Sequence, residues 1–405
     1  MRPVDQDTIE IRVEDRLSAL DPAEWDACAF GEPVTPGFED ASGLKAETHN
    51  PFVSHAFLSS LEESGCVRAE TGWLPQHLTI RREGRLVAAM PAYLKSHSQG
   101  EYVFDYGWAD AFERAGGRYY PKLQISVPFT PVPGPRLLVR AGEDTERLKQ
   151  ALVAGATELC RRHDISSAHW TFLSAPDREV LSRLGMLQRT DQQFHWRNNG
   201  YGSFDDFLGA LASRKRKAIR KERREAHEAG IEIERVTGSD LTEGHWDAFY
   251  AFYMDTGSRK WGRPYLNRRF FSLIGERMTD RILLVMAKRE GDYIAGALNL
   301  VGDSALYGRN WGCIEDHPFL HFEVCYYQAI EFAIERGLSW VEAGAQGQHK
   351  LARGYVPVTT HSAHHIAHPG LRRAVADYLE NERLYVEEEG RALAEHAPYR
   401  RGGPA

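Results

Sequence analysis

Cysteine is scarce in this chain, 5 residues among 405. Cys28, Cys66, Cys160, Cys313 and Cys325 are scattered, and no CxxC pair occurs among them. That spacing excludes the common zinc ribbons and thioredoxin-like redox motifs. An odd count in a long chain points to reduced thiols and a cytoplasmic protein. Long apolar runs are missing as well: no stretch approaches the roughly 20 apolar residues of a membrane helix. The opening MRPVDQDTIEIRVED is polar and acidic where a secretory signal needs an apolar segment. A basic balance is lacking too. The net charge of −7 excludes a general nucleic-acid binder. Histidines gather at His361, His364, His365 and His368, but inside a strand they alternate faces and no cysteine lies near, so no metal is expected.

Apolar material is plentiful. A hydrophobic content of 42% with 11% aromatics supplies two cores, and the length suits roughly two or three domains. Thr8 to Val13 reads as a strand. Asn50-Pro51 reads as a helix start, a cap followed by proline at the first helical position. His77 to Leu94 reads as a hairpin turning at Glu83-Gly84. Gly100 to Pro135 reads as a long aromatic loop, and a loop of that length in a compact domain is usually functional. A helix from Thr145 to His163 comes next, then a strand from His169 to Leu173.

Asn198-Asn199-Gly200 marks a boundary. Beyond it, Ser203 and Asp206 form a capping-box pattern for one helix running to Gly230. Within that helix Arg214 to Arg224, RKRKAIRKERR, carries eight cations and one acid. A second hairpin turns at Glu290-Gly291. A helix from Phe322 to Gly337 and a strand from Ser339 to Glu342 come next. Gly344 and Gly347 then bracket a turn in which backbone can approach a ligand, and His349, Lys350 and Arg353 crowd in directly after Gly347. A strand from Val358 to Ile366 leads to a helix from Pro369 to His396 and a polar tail, YRRGGPA, expected to be disordered. The two hairpins repeat each other: Arg82-Glu83-Gly84 aligns with Arg289-Glu290-Gly291. Before each stands a helix; after each, beyond an insert, come a helix and a strand. The repeated order points to a duplicated α/β unit.

These residues carry a resemblance. Helix, hairpin, helix and strand is the order of the N-acetyltransferase-like (GNAT) fold. Two copies joined by SRKRKAIRKERREAHEAGI, with the later HKLARGYVPV, resemble the FemAB-like acyltransferases. The runs FDYGWADAFERAGGRYYPKLQ, QFHWRNNGYGSFDDFL, WGCIEDHPFLHFEVCYYQAIEFA and GAQGQHKLARGY are similar to the bacterial group described as peptidoglycan biosynthesis/recognition proteins. The resemblance implies an α/β fold of the α+β type: two tandem GNAT-like units with mixed sheets, 1–197 and 198–368, then a C-terminal helix and tail, 369–405. It implies N-acyl transfer, of an aminoacyl group, to an amine of a peptidoglycan precursor or related small molecule. A muropeptide-recognition module without turnover and an acyl-CoA-dependent N-acyltransferase stay open beside it. The donor is then an aminoacyl-tRNA or an acyl-CoA, and no fixed cofactor is implied. The Q/R-x-x-G-x-G/A loop that holds pyrophosphate in acetyl-CoA enzymes is absent, since His317 to His321 has no glycine at that position.

This chemistry picks out the candidate site. Lys350 is expected to polarise the acyl carbonyl, because a developing oxyanion wants a fixed cation. Either His321 or Glu323, at the start of a helix, is expected to take the proton of the attacking amine. Arg353 is expected to hold a phosphate or carboxylate, with His349, Arg309, Tyr307 and Trp311 beside it. Asp105 and Tyr106 are expected to line the first unit's part of the cleft. Arg214, Lys215, Lys217 and Arg220 are expected to meet phosphates of the donor without reading sequence.

Overall fold

The structure of the chain, a computed structural model, describes residues 8–33, 43–260, 264–344 and 347–400. The chain divides into two compact units, each drawn from three segments. The first is Met1–Thr35, Thr48–Asp191 and Thr360–Val386; the second is Pro36–Glu47, Gln192–Thr359 and Glu387–Ala405. The boundary expected at Asn198 lies just inside the second unit. The last helix, expected to stand apart, belongs to the first unit as far as Val386.

The first unit opens with β1 (Ile9–Glu14), α1 (Pro22–Ala29) and α2 (His55–Glu63). Asp21 caps α1 by accepting the Glu24 N–H, with Pro22 next at a position that needs no donor. The helix expected at Asn50 proves to be one tight turn, Pro51–Val53; α2 starts only after Ser54, whose side chain accepts the Phe57 N–H. Next come β2 (Trp73–Pro75), β3 (His77–Arg82), β4 (Arg85–Met90), β5 (Tyr93–Lys95), α3 (Tyr106–Arg114), β6 (Lys122–Ile125), β7 (Leu138–Val139), α4 (Thr145–Arg162), β8 (Ser167–Trp170) and α5 (Ala175–Arg183). Segment 100–135 is therefore no long loop, since it holds both α3 and β6. One sheet runs β1-β3-β4-β7. A second set runs β2-β5-β6-β8, with β6 and β8 parallel, and Ala363–Ile366 of the last strand pairs antiparallel with β8. The stripe Leu148, Leu152, Ala156 and Cys160 of α4, at helical spacing, packs on Ile80, Ala88 and Trp170.

The strand β9 (Leu187–Arg197) leads into the second unit. Then come α6 (Phe204–Ala210), α7 (Ser213–His227), β10 (Ile231–Thr237), α8 (Glu243–Lys260), α9 (Arg268–Arg277), β11 (Ile282–Arg289), β12 (Asp292–Val301) and β13 (Ala305–Cys313). A helix then begins as α10 (Leu320–Phe322), passes through a wide π turn (Glu323–Tyr327) and continues as α11 (Gln328–Glu335). β14 (Trp340–Glu342), a tight helical turn (Gln348–Arg353), β15 (Val356–Ile366) and α12 (Pro369–Ala394) complete the chain.

One helix was expected from Ser203 to Gly230, but α6 and α7 are separate. Leu211 and Ala212 are extended between them. Leu211 is fully buried and bridges to Tyr399, while the Ala212 N–H donates to the Pro398 carbonyl. Tyr399 and Arg400, expected in a disordered tail, are thus anchored: the Tyr399 hydroxyl donates to the Gly354 carbonyl at 2.6 Å, and the Arg400 N–H to Ala210. The rest of that tail lies outside the described residues.

The hairpins repeat more closely than their sequences suggest. Glu83-Gly84 and Glu290-Gly291 all have positive φ, 52° and 82° in the first turn, 56° and 92° in the second. Both therefore turn in the left-handed sense that suits a hairpin's twist. Each also carries a bulge at the matching place, with Val87 of β4 extra opposite Ile80-Arg81 and Ile294 of β12 extra opposite Ala287-Lys288.

Candidate functional site

In the second unit β10 to β13 form an antiparallel meander, and β14 joins β13 in parallel. That pairing covers only Ala305 to Tyr307 against Trp340 to Glu342. β13 runs on to Cys313 while β14 stops, so the two strands part beyond Tyr307. A register shift opposite Asn299 marks the same point: Asn299 pairs with Gly308 and Leu298 with Asn310, leaving Arg309 as the extra residue.

The helix beginning at Leu320 faces this gap. Phe319 before it has φ +60°, a strained value for a bulky residue. The π turn then adds a residue to the helical repeat, a device frequent at functional sites. Its effect is to bring residues five apart together. The His321 ring lies 5.4 Å from Tyr326, 5.2 Å from Trp311 and 6.2 Å from His349, centroid to centroid. The Tyr326 hydroxyl and His349 Nε2 are hydrogen-bonded at 3.0 Å. Sequence reasoning missed Tyr326, because in a regular α-helix residues 321 and 326 point to different sides.

The turn Gln348–Arg353 supplies the cations, and both are buried. Lys350 is 4% exposed; its Nζ donates to the carbonyls of Ala343 at 2.6 Å and Gly344 at 3.1 Å. Burial pushes its pKa down to about 8. Arg353 stacks 3.3 Å over the Phe322 ring and donates to Glu222 at 2.8 Å and to the His349 carbonyl at 2.7 Å. Its guanidinium is an internal strut here, with less freedom than an open phosphate holder. His349 is exposed; partial burial first, then the charges of Arg353 and Lys350, lower its pKa.

Glu323 is fully buried and heavily engaged. It accepts from Arg223 at 2.9–3.3 Å and from Gln328 at 2.7 Å, and His227 lies 3.8 Å away. Burial raises its pKa, but the nearby His227 and the hydrogen-bonded Arg223 outweigh that and hold the carboxyl below its ordinary value. Arg223 also reaches Glu331 and lies 4.5 Å over Phe204, so Glu323 locks α7 to the helix after the gap.

The structure gathers His321, His349 and Arg353 about Phe322, with Trp311 against His321 and Lys350 in the same turn as His349 and Arg353. Arg309 sits half-buried at the bulge. Tyr307 is 1% exposed, and burial raises its pKa, so it is core and no lining residue. In the first unit Asp105 is buried, accepting from Lys122 at 2.5 Å and Tyr119 at 2.6 Å; Tyr106 is exposed, its hydroxyl donating to Ser98. On α7, Arg214 and Lys217 are exposed and Lys215 half-buried, none with an acidic partner among the described residues. Arg220 differs, pairing with Asp205 at 2.9 Å. It lines an open depression of about 380 Å³ with Ser203, Phe204 and Arg223. Among the described residues no group of three or more His, Cys, Asp or Glu is placed to hold a metal ion, and no helix is long and apolar enough to cross a membrane.

The profile of the FemAB-like family, peptidoglycan biosynthesis/recognition, matches residues 16–401, and the chain belongs to that family. No curated protein matches the sequence. Among solved structures, FemX is similar with a TM-score of 0.54 at 13% identity, over 88% of this chain and 98% of that one. A conserved protein of unknown function from Bacteroides thetaiotaomicron has a TM-score of 0.50 at 11% identity, over 88% and 100%. A tandem GNAT protein from the clavulanic acid biosynthesis pathway has a TM-score of 0.47 at 12% identity, over 89% and 99%. At these identities the first two likenesses establish the fold.

Proposed function

We propose that this member of the FemAB-like family is an N-acyltransferase that moves an aminoacyl group to an amine of a peptidoglycan precursor or related small molecule. The observation that carries the reading is the Lys350 ammonium, buried and aimed by two carbonyls in the turn that also holds His349 and Arg353. An acyl carbonyl set beside it develops its negative charge next to a fixed cation in a low-dielectric site, where such charges act most strongly. The acceptor nitrogen attacks the carbonyl carbon and a C–N bond forms. His321 takes the amine proton. The bond from the carbonyl carbon to the donor's ester oxygen or thioester sulfur breaks, and the leaving group is protonated. Glu323 acts in this reading as a positioning carboxylate, because Arg223 and Gln328 already occupy it.

The exposed cations of α7 fit a polyanionic donor, either aminoacyl-tRNA or acyl-CoA. A muropeptide-recognition module without turnover is the second reading, favoured by the engagement of Arg353 with Glu222. The test is turnover of a peptidoglycan-precursor amine with each donor in parallel. Lys350→Met is expected to lose about 10²–10³ in rate, as for an oxyanion donor. Wild-type protein that binds the precursor yet transfers from neither donor sinks the enzyme reading and leaves the recognition module.

A further inference from the structure

The first unit contains a sheet face that is polar and yet buried. Tyr93 of β5 pairs with Gln124 of β6, Gln124 with His169 of β8, and His169 with His364 of β15. Directly paired residues share a face, so these four side chains form one row. Lys95 and Lys122 are also paired, two residues along on the same face, and Ser126 lies two residues beyond Gln124. All seven are 2% exposed or less. The opposite face carries Leu123, Ile125, Ala168, Trp170 and Ala363, which are core. A sheet with one apolar and one polar face normally gives the polar face to water. Here segment 98–120 covers it. Glu101 and Asp105 of that segment accept from the Lys122 ammonium at 2.7 and 2.5 Å, and its Trp108 lies 5.0 Å from the His364 ring.

The cover leaves groups unserved. Tyr93 OH, Gln124 Oε1, Ser126 Oγ, Glu101 Oε1, Asp105 Oδ1 and His364 Nε2 are buried with no hydrogen-bond partner among the described residues. The Lys95 ammonium stands 3.8 Å from Glu101 Oε1, beyond hydrogen-bond reach. Native folds leave few such atoms, and each costs free energy comparable to a lost hydrogen bond. That six gather on and over one face is the observation to explain. Two of them, the Asp105 carboxylate oxygen and the Gln124 amide oxygen, only accept. The missing partner therefore supplies donors, and a primary ammonium has three N–H donors and no acceptor. Burial holds the Glu101 carboxyl up at about 7 and pushes the Lys95 ammonium down to about 7, and a further cation bonded to Glu101 would draw that carboxyl toward its ionised form.

We propose that this covered face of the first unit is a binding site for a small molecule bearing a primary ammonium, held by Glu101, Asp105 and Gln124, with segment 98–120 as its lid. The inference rests on the first unit alone and does not need acyl transfer at Lys350. The test is calorimetric titration with glycinamide, which has an ammonium and no carboxylate, against N-acetylglycinamide, which lacks the ammonium. Saturable binding of the first probe and none of the second is expected. Glu101→Gln should weaken binding by about tenfold, as for one charge-assisted hydrogen bond. Ser126→Ala, a smaller change, should weaken it severalfold, and circular dichroism confirms that each variant is folded. Lys350→Met should bind glycinamide as the wild type does, which separates this site from the proposed transfer site. No saturable binding, equal binding of both probes, or folded variants that bind like the wild type would overturn the proposal. So would a high-resolution crystal structure in glycinamide showing only water on these atoms.

Discussion

Replacing Lys350 by methionine tests how its ammonium is held, through stability as well as turnover. The ordinary pKa of 10.5 falls to about 8 in the folded chain because burial disfavours the charge. Between those values the unfolded state holds more protons than the folded one, so this group makes stability rise with pH. The full difference corresponds to about 3 kcal/mol, of which about 1.3 kcal/mol is gained between pH 7 and pH 9. Methionine has no proton to lose and gains nothing. The substitution also strips the Ala343 carbonyl of its ammonium donor, a cost of about 1–3 kcal/mol that does not depend on pH, while the Gly344 carbonyl keeps the Phe194 N–H. Wild type and Lys350→Met should therefore lie within about 2 kcal/mol of each other at pH 7, the relieved charge burial offsetting the lost bonds. The gap should move in favour of wild type by about 1.3 kcal/mol by pH 9. Urea unfolding of both proteins at several pH values, read as the difference between them, cancels every group they share. A difference that stays flat from pH 7 to pH 9 would refute the reasoning. Turnover should fall as pH rises through about 8, because the neutral amine no longer stabilises an oxyanion.

The same geometry fixes other outcomes. Reversing Arg214, Lys215 and Lys217 to glutamate should weaken binding of a polyanionic donor at low salt and matter little at high salt, as filter binding would show; unchanged affinity at low salt returns α7 to a solvated face. Glu323→Gln should cost on the order of 3 kcal/mol in urea unfolding, because it leaves Arg223 half-buried with one carboxylate fewer. A variant of wild-type stability without turnover would instead make Glu323 the base. Gly84→Ala and Gly291→Ala should each cost about 1–2 kcal/mol, and about equally, since the two turns share a left-handed backbone; a large inequality in unfolding midpoints would count against equivalent hairpins. Tyr399→Phe should cost about 1 kcal/mol, the net value of its bond to Gly354; no loss would mean the last residues are not anchored.

Short-range chemistry was legible in the sequence. Glu-Gly between two apolar runs announces a left-handed turn, and both hairpins stand where that signal puts them. The family runs, read with the repeat, carried the fold. Illegible were features decided by distant chain. Nothing between Ser203 and Gly230 forbids one helix; the break comes from Pro398 and Tyr399 pairing across Leu211 and Ala212. The π turn joins His321 to Tyr326, and no periodicity reading looks five residues ahead. Lys350 was legible as a candidate cation, but its depth of burial was not, because lysines are usually exposed. The backbone carbonyls that hold it inside come from Ala343 and Gly344, and a sequence does not show where a backbone oxygen points.

The covered sheet face makes the same point from the other side. Lys122, Gln124 and Ser126 alternate with Leu123, Ile125 and Val127, the pattern of a strand with one face in water. The period was readable, but a period says only that two faces differ. Which face is wet depends on what lies over it, and here the segment just before β6 in sequence folds back as the cover. A polar face buried under its cover, with six atoms unpartnered among the described residues, is poorly explained by packing, since apolar residues of the same shape would cost less. It is better explained by a partner whose donors complete it, and for that reason glycinamide is the informative first ligand.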